Sequence, residues 1–282
     1  MPSLLPMSRS RPQTRIMGIL NVTPDSFSDG GSFVTPEAIL VQTEKMMGEG
    51  ADIIDIGGES TRPFADPVSI AEEMDRVIGA IRTIRRYHSI PISIDTTKEL
   101  IARRALEEGA DMINDISALR FDPAMIGLVR ETEVPVIIMH MQGTPRDMQV
   151  DPVYDDVVAD IAAFLEERLL WAAEQGVERH RFIVDPGIGF GKTVDHNLAI
   201  LNRLPELQNL GCPVLVGHSR KSFIGRILDR EVTDRDVATA AVSALCVMKG
   251  AAILRVHDVA KTMQAVRMAE AVLNAGRPGS VY

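Results

Sequence analysis

Residues 49–58 read Glu-Gly-Ala-Asp-Ile-Ile-Asp-Ile-Gly-Gly. A glycine closes a helix, a tight turn follows, and a short apolar run enters the core as a strand that stops on glycine. Residues 108–114, Glu-Gly-Ala-Asp-Met-Ile-Asn, repeat the unit, and Gly-Ala-Ala-Ile at 250–253 is a weaker third copy. Eight apolar runs recur along the chain: RIMGIL (15–20), DIIDIGG (52–58), IPISID (90–95), DMIND (111–115), PVIIMH (135–140), RFIVD (181–185), PVLVGH (213–218) and AILRVH (252–257). Each is nearly continuously apolar, the pattern of strands covered on both faces in a parallel sheet.

Helical patterns fill the gaps. Thr35-Pro36-Glu37 and Ser69-Ile70-Ala71-Glu72 read as capped helix starts, the second running to about Tyr87. Thr96 with Glu99, Asp122 with Pro123, and Asp195 mark further starts, and residues 153–175 form a long amphipathic pattern ending at Gly176. Eight strands alternating with helices over this length predict an α/β fold, a (β/α)8 TIM barrel built as a single domain over residues 15–282. A doubly wound sheet is the alternative. Residues 1–14 are expected to be a flexible leader.

The chain has 282 residues, 45% apolar and 24% charged, enough for a large core, and a formal net charge of −9. An acidic protein offers no general surface for nucleic acid or membrane, so an anionic ligand needs a local basic cluster. Cys212 and Cys246 sit in apolar runs and read as buried thiols in a reducing compartment. The longest near-apolar stretch, residues 237–248, is too short to span a bilayer, and the N-terminus shows no secretory signal. A cytoplasmic protein is expected.

In a barrel the strands' carboxyl ends carry the active site. Here they read Asn21, Gly57-Gly58-Glu59, Asp95, Asn114, His140, Asp185, Gly217-His218 and Arg255 with His257, almost all polar. The segment Asp-Pro-Gly-Ile-Gly-Phe-Gly-Lys-Thr (185–193) has Pro186 where a phosphate-binding P-loop needs glycine. What remains is a buried acid at a strand end, suited to accepting paired N–H groups from a 2-aminopyrimidinone edge. Gly-His-Ser-Arg-Lys-Ser-Phe-Ile-Gly (217–225) opens a helix after the seventh strand, where barrels often hold anions, with Arg220 and Lys221 adding charge near Ser222. Arg255 and His257 alternate on one face of the last strand. The loop Asn-Val-Thr-Pro-Asp-Ser-Phe-Ser-Asp-Gly-Gly (21–31) offers hard oxygen ligands suited to Mg2+. A metallohydrolase using His140, His218 and His257 is disfavoured because the first strand ends without its histidine pair, and no GxSxG nucleophile motif is present.

These segments together closely resemble dihydropteroate synthases: Asn-Val-Thr-Pro-Asp-Ser-Phe-Ser-Asp-Gly (21–30), Ile-Asp-Ile-Gly-Gly-Glu-Ser-Thr-Arg-Pro (54–63), Ser-Ile-Asp-Thr (93–96), Ile-Asn-Asp-Ile (113–116), Met-His-Met-Gln-Gly (139–143), the 185–192 segment, Ser-Arg-Lys-Ser (219–222) and Arg-Val-His-Asp (255–258). The resemblance implies a folate-pathway transferase that joins 6-hydroxymethyl-7,8-dihydropterin diphosphate to p-aminobenzoate, releasing pyrophosphate, with Mg2+ as cofactor. It places the chain in a class of sulfonamide targets and suggests a homodimer. Carried over by motif, Asp95, Asn114, Ile116, Met139, Asp185, Phe190, Gly217, Lys221 and Arg255 would hold the pterin. Asn21, Thr61, Arg255 and His257 would bind the diphosphate, with Mg2+ at Asn21. Phe27, Arg62, Pro63, Phe190, Lys221 and Ser222 would form the p-aminobenzoate pocket. The catalytic set would be Asn21, Asp29, Asp95, Lys221, Arg255 and His257. Phe64 stands where the family often has glycine. A methyltetrahydrofolate methyltransferase-like barrel would not need the Thr-Arg-Pro and Ser-Arg-Lys-Ser loops together. A non-catalytic homologue would be expected to lack Asn21, Lys221 or Arg255, and all are present.

Overall fold

The structure is a computed structural model that describes residues 14–23, 35–59, 68–145 and 147–276. Strands and helices alternate as β1 (Arg15–Asn21), α1 (Pro36–Glu49), β2 (Ile53–Gly57), α2 (Ile70–Arg85), β3 (Ile92–Asp95), α3 (Glu99–Glu107), β4 (Met112–Asp115), α4 (Met125–Thr132), β5 (Val136–Met139), α5 (Val157–Glu174), β6 (Phe182–Asp185), α6 (Val194–Asn202), β7 (Leu215–Val216), α7 (Ser222–Leu228), α8 (Asp236–Met248), β8 (Ile253–Val256) and α9 (Val259–Asn274). The strands run parallel in the order β6-β5-β4-β3-β2-β1-β8-β7, and a bridge between Val184 and Val214 joins the two ends. The chain is a (β/α)8 barrel, as the sequence predicts.

Each expected run holds its strand, with β1 reaching one residue beyond its run to Asn21. The seventh shrinks to two residues because Pro213 has no N–H to donate; its carbonyl instead accepts from Val184 N at 3.0 Å and closes the barrel. The echoed glycines Gly50 and Gly109 have φ of 104° and 105°, a left-handed conformation that ends each helix and aims the chain at the next strand.

Alternation along the strands divides the core into two shells. Outward residues such as Ile54, Ile94, Ile113, Phe182 and Val256 pack in the main cluster with the helices. Inward, Met17, Ile53, Met112, Ile137, Ile183, Leu215 and Ile253 form a separate apolar plug low in the barrel. Two residues further along, the same inward faces present Asp55, Asn114, Met139, Asp185, Gly217 and Arg255. The apolar plug is therefore a floor on which a polar layer rests.

Several caps match expectation: Thr35 accepts from Ala38 N and Ser69 from Glu72 N. Others differ. Thr96 does not cap α3; its hydroxyl donates to Glu73, and the Glu99 N–H goes instead to Asp122 Oδ2 across the turn. Helix α4 starts at Met125 rather than Pro123, because residues 123–124 form a turn in which Asp122 Oδ1 accepts from Ala124 N, while its Oδ2 serves α3. Thr193, not Asp195, caps α6, through a reciprocal pair with His196. The long pattern at 153–175 becomes helical only at Val157, behind its cap Asp156. Thr14, placed in the leader by sequence, bonds Glu270 and Ala251; residues 1–13 lie outside the described residues. Among the described residues no helix is long and apolar enough to cross a membrane.

Candidate active site

Arg255 reaches from β8 across the barrel mouth. Its Nε donates to Asp55 Oδ2 at 2.6 Å and its second terminal nitrogen to Asp95 Oδ2 at 2.7 Å. Asn114 Nδ2 approaches both oxygens of Asp55, at 3.3 and 3.4 Å. Asp55 is fully buried, so its charge depends on these partners. Burial works against the Arg255 charge, but Asp55 and Asp95 outweigh it and raise the guanidinium's pKa. Asp95 is pushed up to about 7: burial dominates, Arg255 opposes it, and Asp55, Glu73 and Asp115 add repulsion.

Asp185, at the end of β6, accepts from Gly187 N at 2.7 Å. Burial raises its pKa, opposed by that bond and by the charges of Lys221, Arg255 and Lys192. The chain then turns through Gly187 at φ 68°, where a Cβ would lie 2.0 Å from the His140 carbonyl oxygen. No other residue fits there.

Lys221 follows the left-handed Arg220 (φ 57°). Its ammonium donates to Ile188 O at 2.8 Å and lies 4.0 Å from the centre of the Phe190 ring. Burial lowers its pKa to about 7, against the pull of Asp185. Arg220 does not join it. Its guanidinium forms a paired bridge to Asp236, at 2.6 and 2.9 Å, so of the two charges expected near Ser222 only Lys221 lines the cleft. Ser222 begins α7 but is exposed and does not line the cleft.

A cleft opens above the polar layer. It is lined by Asp95, Asn114, Ile116, Met139, Asp185, Phe190, Gly217, Lys221 and Arg255, the full expected pterin set, together with Gly187 and Ile188. Asn21 and His257 lie at strand ends on the rim rather than in this lining. The Asn21 carboxamide oxygen sits beside Gly57, and His257 Nδ1 is 2.9 Å from Ser219 Oγ, which fixes its ring. Phe27, Asp29, Thr61, Arg62, Pro63 and Phe64 lie outside the described residues. The sequence reading overlooked Asp55 as a site residue; two steps before Gly57 on an inward face, it was open to the same alternation argument. His218 is buried and bonded to Thr239 O and Ser243 Oγ, and His140 contacts Lys192. Among the described residues no group of three or more His, Cys, Asp or Glu side chains could hold a metal.

The model of the family described as pterin binding enzyme matches residues 17–257. The chain belongs to the pterin-binding enzymes. It is 48% identical over 261 residues to the dihydropteroate synthase of Haemophilus influenzae, covering 93% of this chain and 94% of that one. A crystal structure of the Yersinia pestis dihydropteroate synthase with a sulfonamide drug complex superposes with a TM-score of 0.90 at 41% identity, covering 97% and 98% of the two chains. The Xanthomonas albilineans dihydropteroate synthase in complex with 7,8-dihydropteroate gives 0.84 at 43% identity, over 93% and 94%.

The charge arrangement in this pterin-binding enzyme is testable without substrate. By carboxyl NMR titration, Asp95 in the free protein should protonate near pH 7. Asp55→Asn removes a repelling charge and should move that titration to lower pH. Arg255→Met removes the opposing cation and should move it higher. Shifts of the reverse sign contradict the arrangement.

Proposed function

We propose that this pterin-binding enzyme is a dihydropteroate synthase, joining 6-hydroxymethyl-7,8-dihydropterin diphosphate to p-aminobenzoate with release of pyrophosphate. The observation that carries the reading is the convergence of Asp95, Asn114, Asp185 and Lys221 on one cleft roofed by Arg255. A pterin is a flat ring whose 2-amino-4-oxo edge presents parallel N–H donors beside a carbonyl acceptor. Asp185 offers a carboxylate to the donors, Lys221 an ammonium to the ring's acceptors, and Asn114 a group that does both. Asp95 takes further ring N–H groups once the pterin competes with Arg255 for it. The Arg255 plane covers the ring face, and Ile116 and Met139 supply the apolar wall.

At the rim, His257 and Arg255 face the diphosphate. The residues also fit Mg2+: it takes oxygen ligands and commonly only one or two from protein, with phosphates and water supplying the rest, and Asn21 presents a carboxamide oxygen there. When bound, the ion would neutralise charge on the departing diphosphate. Arg255 and His257 stabilise the same charge by hydrogen bonding in a partly dry site. The bond between the pterin methylene and the diphosphate oxygen breaks. The arylamine nitrogen forms the new C–N bond and gives up its proton. The methylene carries positive charge by conjugation with the ring, so leaving-group loss runs ahead of attack by a weak, neutral nucleophile. Asp95 stabilises that charge, with Asp29 expected to assist.

For the aryl substrate, Phe190 and Lys221 flank the cleft's opening, with Ser222 beside them and Phe27, Arg62 and Pro63 expected from the flanking loops. Thr61 is expected at the diphosphate. Sulfonamides would compete with p-aminobenzoate there. A cytoplasmic homodimer belongs to the same reading; the exposed Val237, Leu245 and Met248 on α8, away from the cleft, support it.

Asp185→Asn should keep the fold and weaken pterin binding by roughly 2–4 kcal/mol, since one member of a charge-assisted pair is lost; unchanged affinity by calorimetry contradicts the assignment. Excess chelator should abolish 7,8-dihydropteroate formation while leaving binding of diphosphate-free pterin intact. Full turnover in chelator contradicts the Mg2+ role.

A further inference from the structure

The segment 186–191 forms one wall of the cleft, yet most of its polar backbone is held by side chains. The Ile188 carbonyl accepts from Lys221 Nζ at 2.8 Å, Gly189 O from Gln149 Nε2 at 2.5 Å, Phe190 O from Lys192 Nζ at 2.9 Å and Gly191 O from the Tyr154 hydroxyl at 2.7 Å. The Gly189 N–H donates to Asn197 Oδ1 at 2.7 Å. Lys192 is the unusual member. Lysine is seldom fully buried, yet this side chain is only 4% exposed. Its other acceptors are His140 Nδ1 at 3.0 Å and His140 O at 3.4 Å, so three N–H groups meet three acceptors. As an acceptor, the His140 ring must be neutral. Burial, with Lys192 and Arg120 nearby, pushes its pKa down to about 2. Its edge-to-face packing on Phe164, centroids 5.0 Å apart, fixes the ring plane.

Lys192 also acts at longer range. Asp185 is faced by Lys221 from the loop after β7, by Arg255 from β8 and by Lys192 from its own loop, and all three favour its ionised form. Burial lowers the Lys192 pKa to about 7, opposed by Asp185 and reinforced by the like charge of Lys221, and His140 faces it from the end of β5.

We propose that Lys192 is a positioning residue for pterin binding, seated on His140 behind the cleft, where it fixes the Phe190 carbonyl. It would touch no substrate atom. The inference rests on the reading that the cleft binds pterin.

The test is binding of 6-hydroxymethyl-7,8-dihydropterin, without diphosphate, by calorimetry from pH 6 to 9. Lys192→Met should weaken affinity about tenfold at pH 7, the scale of one lost hydrogen bond from a charged group. Because Lys192 loses its charge as the pH rises through about 7, the gap between wild type and variant should narrow toward pH 9. A merely structural lysine would lower affinity by one factor at every pH. That result, or affinity within twofold of wild type throughout, overturns the proposal. If Lys192→Met does not fold, His140→Phe keeps the ring packing and removes the acceptor. It should weaken binding at pH 7, and affinity within twofold of wild type overturns the proposal. A wild-type protein that binds no pterin overturns the functional reading itself.

Discussion

A guanidinium buried between two carboxylates holds the site together. Arg255 pairs with Asp55 and Asp95, residues 200 and 160 positions away in the chain. Such a pair exists only in a closed barrel, because β8, β2 and β3 must all turn their inward faces to one axis. Removing any member leaves a buried charge unpaired, which costs far more than the intact cluster contributes. Closure also brings the Asp185 carboxylate and the Lys221 ammonium to the same mouth. Mutual compensation of these charges is what permits ionised groups to sit on an apolar plug.

The compensation is incomplete, and that is useful for catalysis. Asp95 and Lys221 are both pulled toward neutrality, to about 7. Groups held near that point change state when a ligand supplies or withdraws a hydrogen bond. On the proposed function, a pterin that displaced Arg255 from Asp95 would find an acceptor and free a cation to meet the diphosphate, so ligand binding and leaving-group stabilisation would draw on one rearrangement.

Much of this was legible in the sequence. Strand ends show where a continuously apolar run stops on polar residues, so Asp95, Asn114, Asp185 and Arg255 could be placed at the barrel mouth before any fold was seen. Asp55 was missed because an acid within an apolar run was read with the glycine turn beyond it. Arg220 was misread because adjacency in sequence suggested a shared anion. The left-handed backbone at Arg220 parts the two side chains, one to Asp236 and the other to Ile188. The helix start expected at Thr96 failed for a related reason: its hydroxyl serves Glu73 of the neighbouring helix while the Glu99 N–H is taken by Asp122, and local sequence does not record which partner a capping side chain finds. Lys192 illustrates the limit from the other side. In sequence Pro186 rules out a phosphate-binding loop and leaves the lysine without a role, and only its burial against His140, with its bond to the Phe190 carbonyl, places it behind the wall of the cleft.

Pyrophosphate release from 6-hydroxymethyl-7,8-dihydropterin diphosphate, followed with Mg2+ present and with or without p-aminobenzoate, tests the condensing role of the cleft most directly. Release should require p-aminobenzoate and match the 7,8-dihydropteroate formed, mole for mole. No release with both substrates present, or equal release without p-aminobenzoate, would contradict it.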